Sequence, residues 1–406
     1  MHHTLQIHIQ QHTEFLHFQS INDKETPEIR MTELKPKLDR FIWKLLDEQN
    51  RERWLKEKFA RKNHNDHISL AYKVRVLQSD QRKNQKIKYE PNRHVYESYV
   101  LFQLKNNEHS LIWYNRLTVQ FFSFYKEVLD TIRRHIEAFF LLHNFGYRQR
   151  KGFGSFTVTS IEDPNGKEKC KDPHQKILEF KNLREIDGFP SLVGMIELKE
   201  NSNFLGKGGI IPVIYQVLKS GINLNGKYIK SSLTSYLLKN GPIISEKRAI
   251  KQILENGKGY KERNGLHQEQ TVRATRVVLG MGYNASYQLQ NRQRIDVLYT
   301  YKRKDGKTLD RFPSPLIFKI INNRIYLYLE ENITQYLDDC QLNIKIKHQK
   351  ESLLTIPVIS SKEFQLKAFI QYWLEELEKH RKNRKDHFPK AYLNVLKSIN
   401  KIEFWG

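Results

Sequence analysis

The order in which strand and helix periodicities alternate over residues 1–162 constrains the fold more than any other feature of this sequence. Apolar residues recur at every second position in the strand-like segments and at every third or fourth position in the helical ones. In chain order these are a strand within 4–18, a helix from about 33–35, strands at 68–77, 95–104 and 110–124, a helix at 126–143 and a strand at 155–161. This order is ferredoxin-like, with two helices on one face of an antiparallel sheet.

Two local details of this prediction concern the first helix and the segment after the second strand. Thr32 is the predicted N-cap, and the helix begins around residues 33–35 because Pro36 is tolerated only in a first turn. The basic segment 79–93 separates two strand-like runs and is predicted to be a loop.

The second half of the chain carries a weaker pattern that again mixes helices with strands. Residues 162–174 are predicted to be a polar insertion or linker. The segments that follow are helices at 209–218, 231–239 and 246–255, strands at 295–303 and 315–330, and helices at 362–381 and 389–400. We therefore predict two domains, at 1–162 and 163–406, of which the second is an α+β unit related to the first.

The charge of the chain indicates a polyanionic partner. Lysine and arginine number 69 against 45 acidic residues, which gives a formal net charge of +24 over 406 residues. A lysine-rich soluble surface without such a partner is the alternative. The two cysteines exclude a disulfide framework, and the N-terminal residues lack the order of a signal peptide. With no apolar run near ~20 residues, we expect a cytoplasmic protein without a membrane contact.

The densest mixture of glycine and positive charge lies between the predicted helix 126–143 and the strand 155–161. Gly146 stands where a helix C-cap is expected. Gly152 and Gly154 lie beyond the helix, and residues without a Cβ let a backbone approach a ligand closely. A dinucleotide fold would need the glycines after a strand and before a helix, so the order here excludes that fold.

The basic side chains of this segment are suited to phosphate binding. Arg148 and Arg150 carry guanidinium groups that bind phosphate oxygens in pairs, and Lys151 adds a third cation. The hydroxyl of Ser155 can donate to a phosphate or a 2′-hydroxyl group.

The segment resembles the glycine-rich loop of the RAMP superfamily, the RNA-binding subunits of CRISPR effector complexes. In that family the loop follows the second helix of a ferredoxin-like fold and runs glycine, arginine, a spacer, two basic residues, glycine, an apolar residue, glycine and serine. The residues that match it in order are Gly146, Arg148, Arg150, Lys151, Gly152, Phe153, Gly154 and Ser155.

Residues 29–44 are similar to the segment that opens the first helix in the first subunit of the type III-B (Cmr) complex. The residues that follow this outline are Ile29, Arg30, Thr32, Leu34, Lys35, Leu38, Arg40, Phe41 and Trp43. The chain departs from the family at Pro36, where glycine is usual, and by one extra residue before Arg40. Residues 310–320 resemble a segment of this family in which an arginine and a Ser-Pro-Leu sequence precede a late strand. A proline that begins an edge strand explains these residues equally well.

The resemblance implies an α+β fold of two tandem ferredoxin-like (RRM-like) RAMP modules, with antiparallel sheets and helical insertions. It implies a non-catalytic subunit that binds guide RNA and the guide–target duplex in antiviral defence. Its partners would be guide RNA, target RNA and other CRISPR effector subunits, with no cofactor or metal. The residues expected at the RNA are Arg148, Arg150, Lys151, Gly152, Gly154 and Ser155, with Arg30, Lys35, Lys37 and Arg40 as a second group.

Two other functions stay open. One is a metal-independent endoribonuclease that processes precursor guide RNA, for which His8, His12 or His17 would supply the acid or base. The other is a structural subunit whose basic surface meets an acidic protein. The histidines within 64–67 have a spacing that metals accept, but no third ligand stands near them, and a solvated loop explains them better.

A second basic glycine segment lies at residues 273–283. Arg273 and Arg276 precede Gly280 there, which predicts either a second phosphate-binding loop or buried packing.

Overall fold

The structure of the protein is a computed structural model in which two compact units are distinguished by their internal contacts. It describes residues 3–16, 29–54, 68–87, 109–181, 189–205, 209–224, 226–241, 243–256, 271–282, 284–289, 293–309, 311–330, 337–349, 351–384 and 387–405. The first unit comprises Met1–Leu192, Ile196–Pro212 and Phe318–Leu327, and the second comprises Val193–Met195, Val213–Ile317 and Tyr328–Gly406. The predicted strand 95–104 lies outside the described residues.

The first unit begins with strands and helices in the predicted order. Its elements are β1 (His3–Gln11), β2 (Phe15–Leu16), α1 (Met31–Leu45), α2 (Glu48–Trp54), β3 (Lys73–Ile87), β4 (His109–Ser123), α3 (Lys126–Leu142), β5 (Phe156–Asp163), β6 (Gly166–Lys169) and α4 (Pro173–Lys181). Strands pair antiparallel in the order β3–β4–β1–β5–β6, with β2 also paired to β4. Ile7 lies opposite Val119 on one side and Ile161 on the other.

One face of this sheet is covered by α1 and α3, as the apolar alternation predicts. Strand β1 buries Leu5, Ile7 and Ile9, and the side chains between them are more accessible. Helix α3 buries a stripe that includes Ile132 and Ile136 against the same core. The predicted helix 126–143 and strand 110–124 are confirmed.

Three local predictions in this unit are wrong. Helix α1 begins at Met31 with Arg30 as its N-cap, so Thr32 is already helical. Residues 79–87 continue β3 instead of forming a loop, because backbone pairing with β4 through several register shifts extends the strand without any apolar alternation. Of the two alternatives for residues 162–174, the linker is wrong, because this polar insertion contains the β5–β6 hairpin and the start of α4.

The remaining elements follow residue 190. They are β7 (Ser191–Leu198), α5 (Ile210–Lys219), β8 (Ile222–Leu224), β9 (Lys227–Ile229), α6 (Ser232–Asn240), β10 (Ile243–Ser245), α7 (Glu246–Asn256), β11 (Thr271–Arg273), a 3₁₀ helix (Arg276–Leu279), β12 (Asn284–Gln288), β13 (Arg294–Lys302), β14 (Thr308–Leu309), β15 (Leu316–Ile321), β16 (Arg324–Leu329), β17 (Gln341–Ile346), β18 (Ser352–Pro357), α8 (Leu366–Lys382), α9 (Lys390–Ser398) and β19 (Ile399–Phe404).

These later strands form further sheets. One sheet has the order β12–β13–β17–β18 with β14 paired to β13, and another has the order β15–β16–β7–β19. Short pairs β8–β9 and β10–β11 complete the pairing among the described residues. The chain is thus a mixed α/β protein with antiparallel sheets and helices. Within the described ranges, no helix combines the length and the apolar character needed to cross a membrane.

Candidate nucleic-acid interface

The glycine-rich segment forms a loop that is closed at its base between α3 and β5. Asn144 and Ser155 pair in an antiparallel bridge, and the backbone N–H of Phe145 donates to the Gly154 carbonyl at 2.9 Å. The loop between these pairs holds the basic residues. Its position after the second helix and before a strand agrees with the sequence prediction.

Gly146 has a different role from the predicted helix cap. Helix α3 ends at His143, whose backbone N–H donates to the Phe139 carbonyl at 3.1 Å, and Gly146 lies three residues further on. Gly146 has a φ of 78°, and its N–H lies 3.0 Å from both carboxylate oxygens of Glu33 on α1. The prediction of a cap is therefore wrong, and the glycine joins the loop to the first helix.

Gly152 and Gly154 are required by the protein's own packing. A Cβ at Gly154 would lie 1.9 Å from the Phe145 carbonyl oxygen, and the residue has a φ of 63°. A Cβ at Gly152 would lie 2.6 Å from Cδ1 of Ile320, at a φ of 87°. Phe153 between them is fully buried. Close approach is therefore used within the chain, and contact of these glycines with RNA stays a prediction.

Ser155 is completely buried, and its hydroxyl is used inside the protein. Its Oγ donates to the Ile320 carbonyl at 2.5 Å, while its backbone N–H donates to Oγ1 of Thr13 at 2.9 Å. The Thr13 hydroxyl in turn donates to the Gly152 carbonyl at 2.7 Å. Ser155 thus helps to hold the loop in place, and its predicted contact with RNA is not tested by this geometry.

Strand β15 supports the loop along its backbone. The N–H of Phe318 donates to the Arg150 carbonyl at 3.1 Å, and Lys151 and Phe318 form a parallel bridge. The Asn144 amide donates to the carbonyls of Phe318 at 2.8 Å and Gln149 at 2.7 Å. Because Asn144 and Phe318 are 174 residues apart in the chain, no local pattern could have predicted this support.

The three predicted phosphate-binding cations lie together on this supported loop. Arg148, Arg150 and Lys151 are each partly exposed. Arg148 adopts a φ of 53°, a backbone conformation that is uncommon for residues with a side chain, and its guanidinium carbon lies 5.6 Å from the Tyr147 ring centre. The Nε atom of Arg148 and the Nζ atom of Lys151 are buried, and Nζ of Lys151 lies 5.9 Å from the Phe318 ring centre, so the fixed loop holds these two cations close to its own frame.

Lys37 on α1 lies against the same loop. Its Nζ donates to Oε1 of Glu33 at 2.6 Å, to the Asn144 carbonyl at 3.0 Å and to Oε1 of Gln149 at 2.5 Å. Burial lowers the pKa of Lys37, and the neighbouring Glu33 carboxylate opposes that shift. This predicted RNA contact therefore already serves as a bridge between the helix and the loop.

The other residues of the second group divide between the interior and the surface. Lys35 donates to Oδ2 of Asp39 at 2.6 Å and to the Leu70 carbonyl at 3.2 Å. Arg30 and Arg40 are exposed. Positive charge on Arg40 and Arg150 lowers the pKa of Lys37, which shows that α1 and the loop contribute to one positively charged region.

The histidines weighed as a possible acid or base have different environments. His12 is buried, its Nε2 lies 2.8 Å from Oγ1 of Thr157, and burial lowers its pKa to about 3, assisted by Lys319. His8 is partly exposed, with Nε2 3.3 Å from Oε2 of Glu162. His17 and residues 64–67 lie outside the described residues. In the part of the chain that is described, no cluster of three or more His, Cys, Asp or Glu is arranged to hold a metal.

Lys319 is a buried cation that the sequence analysis did not single out. Its Nζ donates to the carbonyls of His143 at 2.9 Å and Phe156 at 3.0 Å, and burial lowers its pKa well below the usual value. The sequence feature that could have identified it is a single lysine inside the otherwise apolar strand β15. A charged residue in such a strand must have partners inside the protein.

The second glycine segment packs in the interior, which was one of the two alternatives predicted for it. Arg276 donates from Nε to Oε1 of the fully buried Glu246 at 2.5 Å and from Nη2 to the Tyr287 hydroxyl at 2.7 Å. Arg273 pairs with Glu363 at 3.1 Å. The arginine side chain at 276 therefore stabilises the second unit from within.

Comparison with known proteins gives two family matches that together span most of the chain. Residues 2–222 match the family model of the Cmr1 N-terminal domain, and residues 228–400 match that of the Cmr1 C-terminal domain. A comparison with curated proteins finds no match.

Two solved structures are similar to the chain at low identity. One is Cmr1 from Pyrococcus furiosus in its apo form, with 12% identity over 92% of this chain and 96% of that chain and a TM-score of 0.39. The other is a chain of the type III-B Cmr-beta complex bound to cognate target RNA, with 14% identity over 40% of this chain and a TM-score of 0.27. The match spans 60% of the length of the Cmr-beta chain.

Proposed function

The chain belongs to the Cmr1 family of type III-B CRISPR effector subunits, and we propose that it binds guide RNA and the guide–target duplex without cleaving them. Its partners would be guide RNA, target RNA and other effector subunits, in the cytoplasm, in antiviral defence. The observation that carries this proposal is the fixed loop that holds Arg148, Arg150 and Lys151 beside α1.

The support of the loop favours binding of an ordered polyanion. Its base is closed by the bridge between Asn144 and Ser155, and its middle is paired to Phe318. A frame held in this way binds with a smaller loss of conformational entropy than a free loop would. Guanidinium groups that project from it can bind phosphate oxygens in pairs.

The charges around the loop also support binding of a polyanion. Glu33 is already paired with Lys37, so it does not offset the nearby arginines in full. Arg40 and Arg150 lie close enough to lower the pKa of Lys37. A phosphate chain passing this region would relieve the mutual repulsion of these cations.

The order of strands supports the finer proposal of two ferredoxin-like modules. In the first, β1, β3, β4 and β5 lie side by side in the order β5–β1–β4–β3, with α1 after the first strand and α3 before the last. In the second, β7, β15, β16 and β19 lie in the equivalent order β19–β7–β16–β15. There α5 follows the first strand, α8 precedes the last, and the sheet containing β12, β13, β17 and β18 is inserted. The domain boundary predicted at residue 162 stays a prediction.

A metal-free incubation with labelled CRISPR repeat RNA tests this function. We expect salt-dependent binding and intact RNA, with an affinity lowered roughly tenfold when two phosphate contacts are removed in Arg148→Ala/Arg150→Ala. The control Arg294→Ala/Lys304→Ala removes the same charge from exposed positions of the second unit and should leave binding unchanged. Absence of RNA binding by the wild-type protein would favour an acidic protein partner.

An endoribonuclease is the second candidate, and the pair formed by His8 and Glu162 favours it. A carboxylate beside an imidazole can orient the ring, and such a pair can support acid–base chemistry on RNA. Specific cleavage of the repeat RNA by the wild-type protein, lost in His8→Ala, would replace the non-catalytic proposal.

A further inference from the structure

The face of the first sheet that points away from α1 and α3 is a second surface with its own chemistry, which we call the open face. Residues opposite one another on paired strands point to the same side, so the register defines its rows. One row runs Arg75, Gln120, Gln6, Glu162 and Lys167 across β3, β4, β1, β5 and β6.

Neighbouring rows continue this pattern. Lys73, Phe122 and Thr4 lie opposite one another on one side of that row. Gln78, Thr118, His8 and Ser160 form the row on the other side. A groove of about 650 Å³ runs over the latter row. The centre of the open face therefore carries amide and hydroxyl groups, the His8 imidazole, the Glu162 carboxylate and, in the groove, the Arg116 guanidinium.

Positive charge lies at both margins of the open face. Lys73 and Arg75 are exposed on β3, and Lys167 is exposed on β6. The carboxylate of Glu162 within the row is paired with His8 at 3.3 Å. The margins of the face, separated by roughly 20 Å over five strands, thus attract anions, while the centre offers mainly amide side chains for hydrogen bonding.

Aromatic side chains lie at one end of the open face. Phe122 is half-buried, and its ring centre lies 5.6 Å from Nζ of Lys73 and 6.0 Å from the ring of Phe124. Phe124 is 70% exposed, and Tyr125 beside it is 43% exposed. Phe122 and Phe124 are thus neighbouring rings that a flat ligand can contact.

We propose that the open face binds single-stranded RNA by its bases, with Phe122 and Phe124 stacking on them. Unpaired bases offer flat surfaces for stacking and edges that the glutamine and hydroxyl side chains can hydrogen-bond. Cations at the margins fit the phosphates on either side. The exposed rings favour bases over an acidic peptide, because carboxylate side chains offer no flat surface for stacking. The inference rests on the proposed RNA-binding function and adds a base-contacting surface to the phosphate-binding loop.

Fluorescence anisotropy with a labelled oligouridine, which forms no duplex, tests this surface on the full chain. The variant Phe122→Ala/Phe124→Ala should raise the Kd at least about fivefold, because each stacked base contributes measurably to affinity. The single variant Phe124→Ala removes only an exposed ring and should raise the Kd in the same direction with the fold intact. The control Tyr228→Ala/Leu238→Ala removes comparably exposed side chains elsewhere and should leave the Kd unchanged.

The outcomes separate this inference from the proposed function. If Arg148→Ala/Arg150→Ala weakens binding but the phenylalanine variants do not, the open-face proposal is wrong and the loop function stands. If the phenylalanine variants weaken the binding of a polyglutamate peptide and leave the binding of oligouridine unchanged, the face recognises an acidic protein and the proposal is overturned. If the wild-type protein does not bind RNA at all, both proposals fail.

Discussion

The carboxylate of Glu33 accepts the backbone N–H of Gly146 with both oxygens at 3.0 Å, although the two residues lie 113 positions apart. The same carboxylate accepts a hydrogen bond from Lys37 at 2.6 Å. One acidic side chain on α1 therefore fixes the start of the glycine-rich loop and neutralises a lysine buried beneath it.

Removing this carboxylate should destabilise the first unit. Glu33→Ala leaves the Lys37 ammonium and the Gly146 N–H without their acceptor, and we expect a loss of about 2 kcal/mol in the free energy of unfolding. Urea denaturation measures it. The control Asp130→Ala breaks the exposed pair with Lys126 and should have little effect on stability. Equal effects of the two variants would contradict the bridging role.

A side chain at Gly154 should be incompatible with the closed loop. A Cβ there meets the Phe145 carbonyl oxygen at 1.9 Å, and the positive φ adds strain. We expect Gly154→Ala to lower the free energy of unfolding by about 3 kcal/mol or more. At Gly282 a Cβ would meet no described atom within 4 Å, so Gly282→Ala should change stability by less than about 1 kcal/mol. If Gly154→Ala and Gly282→Ala unfolded at similar midpoints, the closed loop would not require a glycine at position 154.

Acid should destabilise the first unit through two buried histidines. Burial lowers the pKa of His12 and of His143 to about 3, from 6.5. Between these values the unfolded chain binds a proton that the folded chain does not, so stability is full above pH 6.5 and is lost as the pH falls toward 3. We expect each histidine to account for about 1 kcal/mol of the stability lost between pH 7 and 5.5.

The dependence of unfolding on pH in His12→Gln checks this expectation. The variant should lose stability less steeply than the wild-type protein over the same range, because the other titrating groups are common to both. His387→Gln changes an exposed histidine and serves as the control. If His12→Gln left the slope of unfolding free energy against pH unchanged, His12 would be protonated in the folded protein over this range.

The buried pair of Glu246 and Arg276 should stabilise the second unit. Glu246→Ala leaves the Arg276 guanidinium without its carboxylate and the Thr275 N–H without its acceptor. We expect a loss of about 3–5 kcal/mol, against little effect when Asp296→Ala breaks an exposed pair with Arg294. Thermal unfolding of the two variants compares them. A small effect of Glu246→Ala would mean that Arg276 is solvated.

The sequence predicted those elements whose side-chain pattern reflects burial. Helix α3 and strand β4 follow their apolar periodicity, and the family resemblance read from the glycine-rich segment and from residues 29–44 is confirmed. The extension of β3 was missed because its pairing depends on backbone hydrogen bonds, which polar side chains do not reveal.

The contacts that support the candidate site could not be predicted from sequence patterns, for a different reason. Ile320 and Phe318 hold Ser155 and Arg150 from a strand more than a hundred residues away, and contacts at that separation follow from the tertiary register. The glycines were interpreted as points of close backbone approach to a ligand, and that contact stays a prediction. Their approach to the protein's own backbone and to Ile320 became visible only in three dimensions.

The salt dependence of RNA binding tests the central claim most directly. Each phosphate contact on a single strand contributes about 0.7 to the slope of log K against log salt concentration. If Arg148 and Arg150 each neutralise a phosphate, Arg148→Ala/Arg150→Ala should reduce the magnitude of that slope by about 1.4. A variant slope equal to that of the wild-type protein would contradict phosphate binding by the loop.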